Sequence, residues 1–157
     1  MTPPPFQRLL DGHRDAVWRF LVAAVGRDAA DDVFQDTFLA ALRAWPPSPP
    51  LENPRAWILT VAQRKALDHH RARARRPVVA GDLPELPAPP EAPGTRLDGE
   101  LWDRVRALPP KQRAAVLLRV AGELSHAEVG VALGVSEDAA RRNAFEGLRK
   151  LRLEMER

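Results

Sequence analysis

The chain has 157 residues, which is enough for one ordinary domain or two small ones. Its 45% hydrophobic and 29% charged residues indicate a folded protein, and the net charge of +3 matters less than where the charges lie. Cysteine is absent, which excludes disulfides and thiolate metal sites. The sequence contains no run of about eighteen apolar residues that would indicate a membrane span, and it does not open with an apolar signal core. We therefore expect a cytoplasmic protein.

The first two predicted elements are amphipathic helices separated by Gly26. Apolar residues recur at helical spacing from Phe6 to Val25, and Asp28 is a good N-cap for the second helix. The apolar stripe of the second helix consists of Val33, Phe34, Phe38, Ala41, Leu42 and Trp45. Its other face carries Asp31, Asp32, Gln35 and Asp36. Residues 1–45 hold five basic and six acidic side chains, which favours a protein-binding surface over a DNA-binding one.

A third helix is predicted from Pro54 to Arg76, because Asn53 can cap it and proline suits the first helical position. Its first half is apolar on one face, and its second half is basic. The basic residues are Arg64, Lys65, Arg71, Arg73, Arg75 and Arg76, against the single acidic residue Asp68. This change along one helix indicates contact with nucleic acid. The alternative is a solvated helix end, where cations favour the helix dipole.

Residues 77–99 contain six prolines and no apolar periodicity, so they predict an extended linker. The linker divides the chain into an N-terminal domain, residues 1–76, and a C-terminal domain, residues 100–157. In the C-terminal domain, a short helix containing Leu101, Val105 and Leu108 precedes another that begins at Pro110.

Residues 124–152 predict two helices joined by a short turn, which is a helix-turn-helix. Ser125 and Glu128 form a capping box, Gly134 suits a left-handed helix end, and Ser136 caps the second helix. The predicted buried stripe of that helix is Ala140, Ala144, Leu148 and Leu151. Its exposed residues Arg141, Arg142 and Asn143 suit base edges and phosphates. A surface hairpin with solvated arginines is the alternative.

Motifs for catalysis are absent from the sequence. There is no Gly-rich phosphate loop, no His-Glu-x-x-His and no Gly-x-Ser-x-Gly. Adjacent His69 and His70 would point about 100° apart on a helix, which makes a poor chelate, so we expect surface or phosphate-contacting histidines. The acidic cluster on the second helix has no convergent histidine. We therefore predict no enzyme activity, no metal and no cofactor.

Three stretches resemble bacterial RNA polymerase sigma factors of the extracytoplasmic-function group. Residues 28–45 (DAADDVFQDTFLAALRAW) resemble the family's second region, and residues 53–76 resemble the helix that follows it. Residues 108–152 resemble the family's fourth region. The resemblance implies an all-α fold of two small helical domains joined by a Pro-rich flexible linker, with a helix-turn-helix in the C-terminal domain.

The resemblance also implies roles and partners. Asp32, Gln35 and Asp36 match positions that bind the clamp helices of the largest subunit of core RNA polymerase. Positions that engage the minus-ten promoter element are matched by Arg64, Lys65, Asp68, His69, Arg71, Arg73, Arg75 and Arg76. Positions that engage the minus-thirty-five element are matched by Ser136, Arg141, Arg142 and Asn143. Promoter DNA and core polymerase are thus the expected partners, and an anti-sigma factor is left open.

Two departures from the family bear on promoter specificity. Arg64 stands where the family usually has asparagine, at a position that can contact a flipped-out base. The usual Thr-Val-Lys-Ser-Arg opening of the recognition helix is replaced by residues 139–143, AARRN, and Phe145 and Glu146 stand where basic or polar residues are common. The promoter sequence therefore does not follow from the resemblance.

Two other functions remain as alternatives. A stand-alone helix-turn-helix transcription regulator would explain residues 108–152 but would leave the acidic face of the second helix and the basic third helix without a role. A sigma-like protein-binding adaptor without DNA binding is consistent with the unusual residues at 64 and 139–146.

Overall fold

A computed structural model describes residues 5–47, 52–75 and 96–155. These residues form helices and no strands, as the sequence predicts. The helices are α1 (Phe6–Val25), α2 (Arg27–Arg43), α3 (Pro54–Arg75), α4 (Arg96–Ala107), α5 (Pro110–Val120), α6 (His126–Leu133) and α7 (Glu137–Met155). None of the helices in these ranges is both long and apolar enough to cross a membrane.

Helices α1, α2 and α3 pack on one another around fully buried Phe20, Leu21 and Ile58. Aromatic rings extend this core, because Phe6 of α1 packs edge-on against Phe38 of α2. The only buried polar side chain in the described part of α2 is Thr37, and its hydroxyl donates to the Val33 carbonyl at 2.7 Å. That bond removes the cost of burying the hydroxyl.

The junction between α1 and α2 is a single residue. Gly26 has φ 85°, a conformation that glycine adopts without a steric penalty, and it precedes the first residue of α2. The prediction that Asp28 caps α2 is wrong, because Asp28 lies in the first helical turn, where its charge favours the helix dipole. The predicted cap of α3 is confirmed, since Asn53 Oδ1 accepts from the Ala56 amide at 3.2 Å.

Helix α4 begins at Arg96, inside the segment predicted as linker, so that prediction is wrong for residues 96–99. The rest of the predicted linker, residues 77–95, lies outside the described residues, as does Arg76 at the predicted end of α3. Pro110 occupies the first position of α5, as predicted.

Helices α6 and α7 form the predicted helix-turn-helix and pack against α5. The capping box of Ser125 and Glu128 is present, and Gly134 is left-handed with φ 69°. The predicted buried stripe of α7 is wrong at Leu148, which is 37% exposed. Gly147 is buried instead, because α5 crosses so closely that a Cβ there would lie 2.6 Å from Val116 Cγ2.

The N-terminal and C-terminal groups of helices share one continuous apolar core. At their contact, Arg55 Nε of α3 donates to the Gly122 carbonyl at 2.8 Å, and its Nη2 lies 3.4 Å from the Glu123 carboxylate. Asn53 also donates to the Glu128 carboxylate, so the caps of α3 and α6 are joined. The contact thus involves the first turn of α3 and the start of the helix-turn-helix.

Candidate nucleic-acid and protein interfaces

The predicted polymerase-binding residues of α2 lie together on its solvent face. Asp32, Gln35 and Asp36 are exposed and fall within about 100° around the helix, whereas Val33 and Thr37 on the other side are buried. In the described part of the chain, neither carboxylate forms an ion pair. No described residue therefore competes with a basic partner for either charge.

This face continues toward the C-terminus of α2 with two leucines. Leu39 and Leu42 are 49% and 50% exposed. The prediction that Leu42 belongs to the apolar stripe opposite the acidic face is wrong. Leu42 lies beside Gln35 on the solvent face, whereas α1 and α3 cover the side of α2 that carries Thr37 and Ala41. Carboxylates next to exposed leucines give this face both a charge to pair and apolar area to bury.

The basic half of α3 divides into two sides. Arg64, Asp68, Arg71 and Arg75 are exposed and recur at spacings of four, three and four residues, so they form one row within about 60° of the helix. We call these four residues the α3 row. Arg73 is also exposed but points about 180° away from Arg64. The sequence already contains this information, because Arg73 lies nine residues after Arg64 and that spacing places them on opposite sides of a helix.

Two other predicted contacts flank the α3 row. Lys65 and His69 are each partly buried, and both lie on the side of α3 between the row and Arg73. Arg76, the last predicted residue of this site, lies outside the described residues. On this side of α3, the exposed positive charge therefore comes from the three arginines of the row, and Arg73 carries exposed charge on the opposite side.

The histidine next to the predicted site, His70, is partly buried against α1. His70 Nε2 donates to the Ala24 carbonyl at 2.9 Å, so the expectation of a surface or phosphate-contacting histidine is wrong at this position. Burial lowers the pKa of His70, and the nearby Arg113 guanidinium lowers it further against the opposing effect of the Ala24 bond. The hydrogen bond to Ala24 links α3 to α1.

The turn before α7 is fixed by local hydrogen bonds. Ser136 Oγ accepts from the Ala139 amide at 3.1 Å, so this predicted DNA contact is also the cap of α7. In the preceding helix, the Ser125 amide donates to the Glu128 carboxylate, and that bond lowers the pKa of Glu128. Both helices of the motif therefore start at defined points.

The predicted base-contacting residues of α7 differ in their surroundings. Arg141 is paired with the carboxylates of Glu137 and Asp138, at 3.3 Å each. Arg142 is exposed and forms no ion pair with any described residue, whereas Asn143 is partly buried. Their common helix brings the three residues together, but each points in a different direction.

Two residues further along α7 complete this surface. Phe145 is 65% exposed and so lies on this surface. The sequence analysis noted it only as a residue that differs from the family and did not predict a contact for it. Glu146 accepts from the Gln112 side chain of α5 at 3.2 Å, so its carboxylate is held beside α5.

Comparisons with known proteins identify two family regions in the chain. Residues 9–76 match the Sigma-70 region 2 family, and residues 98–151 match the Sigma-70, region 4 family. The chain is 34% identical over 154 residues to the RNA polymerase sigma factor CarQ of Myxococcus xanthus, which covers 94% of this chain and 87% of CarQ. It is 30% identical over 158 residues to the ECF RNA polymerase sigma factor SigL of Mycobacterium tuberculosis, with the same coverage of 94% and 87%.

The fold also matches a solved sigma factor. The RpoE protein of Bartonella quintana, in complex with the anti-sigma factor NepR, aligns with a TM-score of 0.78 over 96% of each chain. The sequence identity in that alignment is 18%, so the match concerns the fold alone. The two family regions and the curated relatives establish that this chain belongs to the extracytoplasmic-function RNA polymerase sigma factors, the family whose members direct transcription initiation.

Proposed function

We propose that this sigma factor binds core RNA polymerase through the exposed face of α2 and places α3 and α7 on two promoter elements. One observation carries the proposal. The chain contains both sigma regions, and it presents an acidic surface on α2 and arginine-bearing surfaces on α3 and α7. Two weak DNA contacts on one chain together give specific binding, because the first contact raises the effective concentration of the second binding surface near its promoter element. The chain itself catalyses no reaction, and it works in the cytoplasm, where polymerase transcribes.

The proposed polymerase contact is formed by Asp32, Gln35 and Asp36, with Leu39 and Leu42 beside them. The carboxylates steer a basic partner surface and fix its register, whereas the exposed leucines supply the apolar burial that such an interface needs. The clamp helices of the largest polymerase subunit are the proposed partner.

The proposed minus-ten contact is the α3 row, with Lys65 and His69 at its side. Three arginines along one line can follow a DNA backbone, and each neutralised phosphate releases counterions. Asp68 within this row is the one group that would repel phosphate. We propose that it faces a base edge instead, because a carboxylate can accept from the amino group of cytosine.

The proposed minus-thirty-five contact is the start of α7, in the geometry by which recognition helices enter the major groove. The proposed domain limits are residues 1–76 for polymerase and the minus-ten element, and a minus-thirty-five domain that begins at Arg96, where α4 begins, rather than at residue 100. An anti-sigma factor is a further proposed partner, since the similarly folded RpoE protein was solved in complex with one.

The first experiment is a titration of core polymerase with the double variant Asp32→Arg, Gln35→Ala. We expect affinity to fall roughly 30-fold or more, because a charge reversal leaves a basic partner group unpaired. The matched control is Asp15→Arg, which makes the same change of charge at an exposed position of α1. Circular dichroism should show an unchanged helical content for both proteins.

Run-off transcription with purified core polymerase separates the alternatives. A stand-alone regulator would bind DNA without binding core polymerase, and a protein-binding adaptor would bind core polymerase without promoter-dependent transcripts. Equal affinity of the double variant and the Asp15→Arg control would remove the assignment of the polymerase contact to α2.

A further inference from the structure

The direction of each arginine on α7 can be measured against the buried side of the helix. Between Glu137 and Leu153, the part of α7 for which burial is described, the buried residues are Ala140, Ala144, Gly147 and Leu151. At 100° per residue, they lie about 140° to 200° around the helix from Arg142, so Arg142 points directly away from the domain. The same residues lie only about 60° to 120° from Arg141, which places Arg141 on the flank of α7.

The ion pairs of Arg141 reduce the negative charge that the first turn of α7 would present to DNA. Glu137 and Asp138 stand in the first turn of α7, the part that enters the groove, and unpaired carboxylates there would be repelled by phosphates. Arg141 lies 3.3 Å from each carboxylate and so offsets part of their charge. With Asp138 held by Arg141, the guanidinium of Arg142 has no carboxylate partner among the described residues.

We infer that Arg142 is the specificity-determining residue of α7 and reads a guanine in the minus-thirty-five element, whereas Arg141 is a positioning residue that neutralises the acidic first turn. This inference rests on the proposed role of α7. A planar guanidinium with two free N–H groups matches the O6 and N7 acceptors of guanine in the major groove. Arg142 lies in the second turn of the helix and projects outward, as such a contact requires.

The test uses holoenzyme assembled from the full chain and core polymerase. Promoters are selected from a library that is randomised in the minus-thirty-five element, with wild type, Arg142→Ala, Arg142→Lys and Arg141→Ala. We expect Arg142→Ala to lose about five- to 150-fold preference for guanine at one position. Arg142→Lys should regain only part of it, because an ammonium lacks the planar fork. Arg141→Ala should weaken all promoters alike and keep the preference.

Two matched comparisons sharpen the test. Replacing the selected guanine with 7-deazaguanine removes only the N7 acceptor, so it should weaken wild type and leave Arg142→Ala unchanged. In the triple variant Glu137→Gln, Asp138→Asn, Arg141→Ala, the carboxylates that Arg141 neutralises are gone. Binding should therefore recover relative to Arg141→Ala, with the helical content checked by circular dichroism.

Three results would overturn the inference. If the guanine preference were lost in Arg141→Ala and kept in Arg142→Ala, the two roles would be reversed. If the triple variant bound as weakly as Arg141→Ala, Arg141 would contact phosphate directly rather than act through its carboxylates. If wild-type holoenzyme showed no minus-thirty-five preference at all, the proposed role of α7 would fail and this inference with it, whereas the other two results leave that role intact.

Discussion

The imidazole of His70 lies where α1, α3 and α5 come together. Its Nε2 donates to the Ala24 carbonyl of α1 at 2.9 Å, and the guanidinium of Arg113 from α5 is close enough to act on its charge. A protonated ring would be partly desolvated and repelled by that arginine, so the folded protein favours the neutral form. His13 on α1 is similar, because burial and then Arg55 lower its pKa.

These two histidines make stability depend on pH near neutrality. Each has a pKa below 6.5 in the folded chain, so the unfolded chain binds more protons just below pH 6.5. The free energy of unfolding should be greatest above pH 6.5 and should fall as the pH decreases toward the folded-state pKa values. The slope is at most about 1.4 kcal/mol per pH unit for each group.

Urea unfolding between about pH 8 and pH 5 measures this dependence, at the acidities where histidine titrates. His70→Gln keeps a donor for the Ala24 carbonyl and cannot titrate in this range, so its slope should be shallower than that of wild type. An unchanged slope in His70→Gln would show that His70 takes up a proton as easily in the folded chain as in the unfolded one.

At the scale of elements, α3 has different roles along its length and around its circumference. Through Arg55, its first turn contacts the segment between α5 and α6, and its second half presents the α3 row to solvent. Arg71 in this row and Arg73 lie two residues apart but on nearly opposite sides. This pair therefore tests whether the face of α3, rather than its overall charge, binds DNA.

We expect Arg71→Ala to lower the slope of log affinity against log salt by about 0.7 to 0.9, the effect of losing one phosphate contact. Arg73→Ala removes the same charge from the other side and should leave that slope near its wild-type value. Holoenzyme binding to one promoter between about 50 and 200 mM salt measures both slopes. Equal losses in the two variants would show that the α3 row is not the DNA-binding side.

Three helix ends in the C-terminal domain show what local sequence could predict, although the cap predicted at Asp28 is wrong. The capping box at Ser125, the left-handed Gly134 and the cap at Ser136 depend on residues within one turn, and all three are present. The errors at Leu42 and Leu148 have a different origin. Both residues are apolar at helical spacing, but which apolar residues become buried depends on the neighbouring helices, and those lie far away in sequence.

At the scale of the whole molecule, the sequence predicted two domains but not the contact between them. Leu59 of α3 approaches Gly122 so closely that a Cβ on that glycine would lie 3.1 Å from Leu59 Cδ1. No periodicity within either domain indicates such a contact, because it joins residues on opposite sides of the predicted linker. The candidate DNA-binding residues, in contrast, could be proposed from the sequence, because the argument for them uses only charge and spacing within single helices.

The contact between the two halves leads to a prediction about Arg55. Arg55→Ala removes a charged donor from the Gly122 carbonyl, and a hydrogen bond from a charged group contributes about 1.5–3 kcal/mol. We therefore expect faster amide hydrogen exchange on both sides of the contact, in the first turn of α3 and in residues 121–128. Glu123→Gln is the matched control, because it removes only an ion pair in which the Glu123 side chain is 74% exposed. Its effect should be about 1 kcal/mol or less. If exchange in Arg55→Ala changed on neither side, or on only one, the two halves would not stabilise each other through this residue.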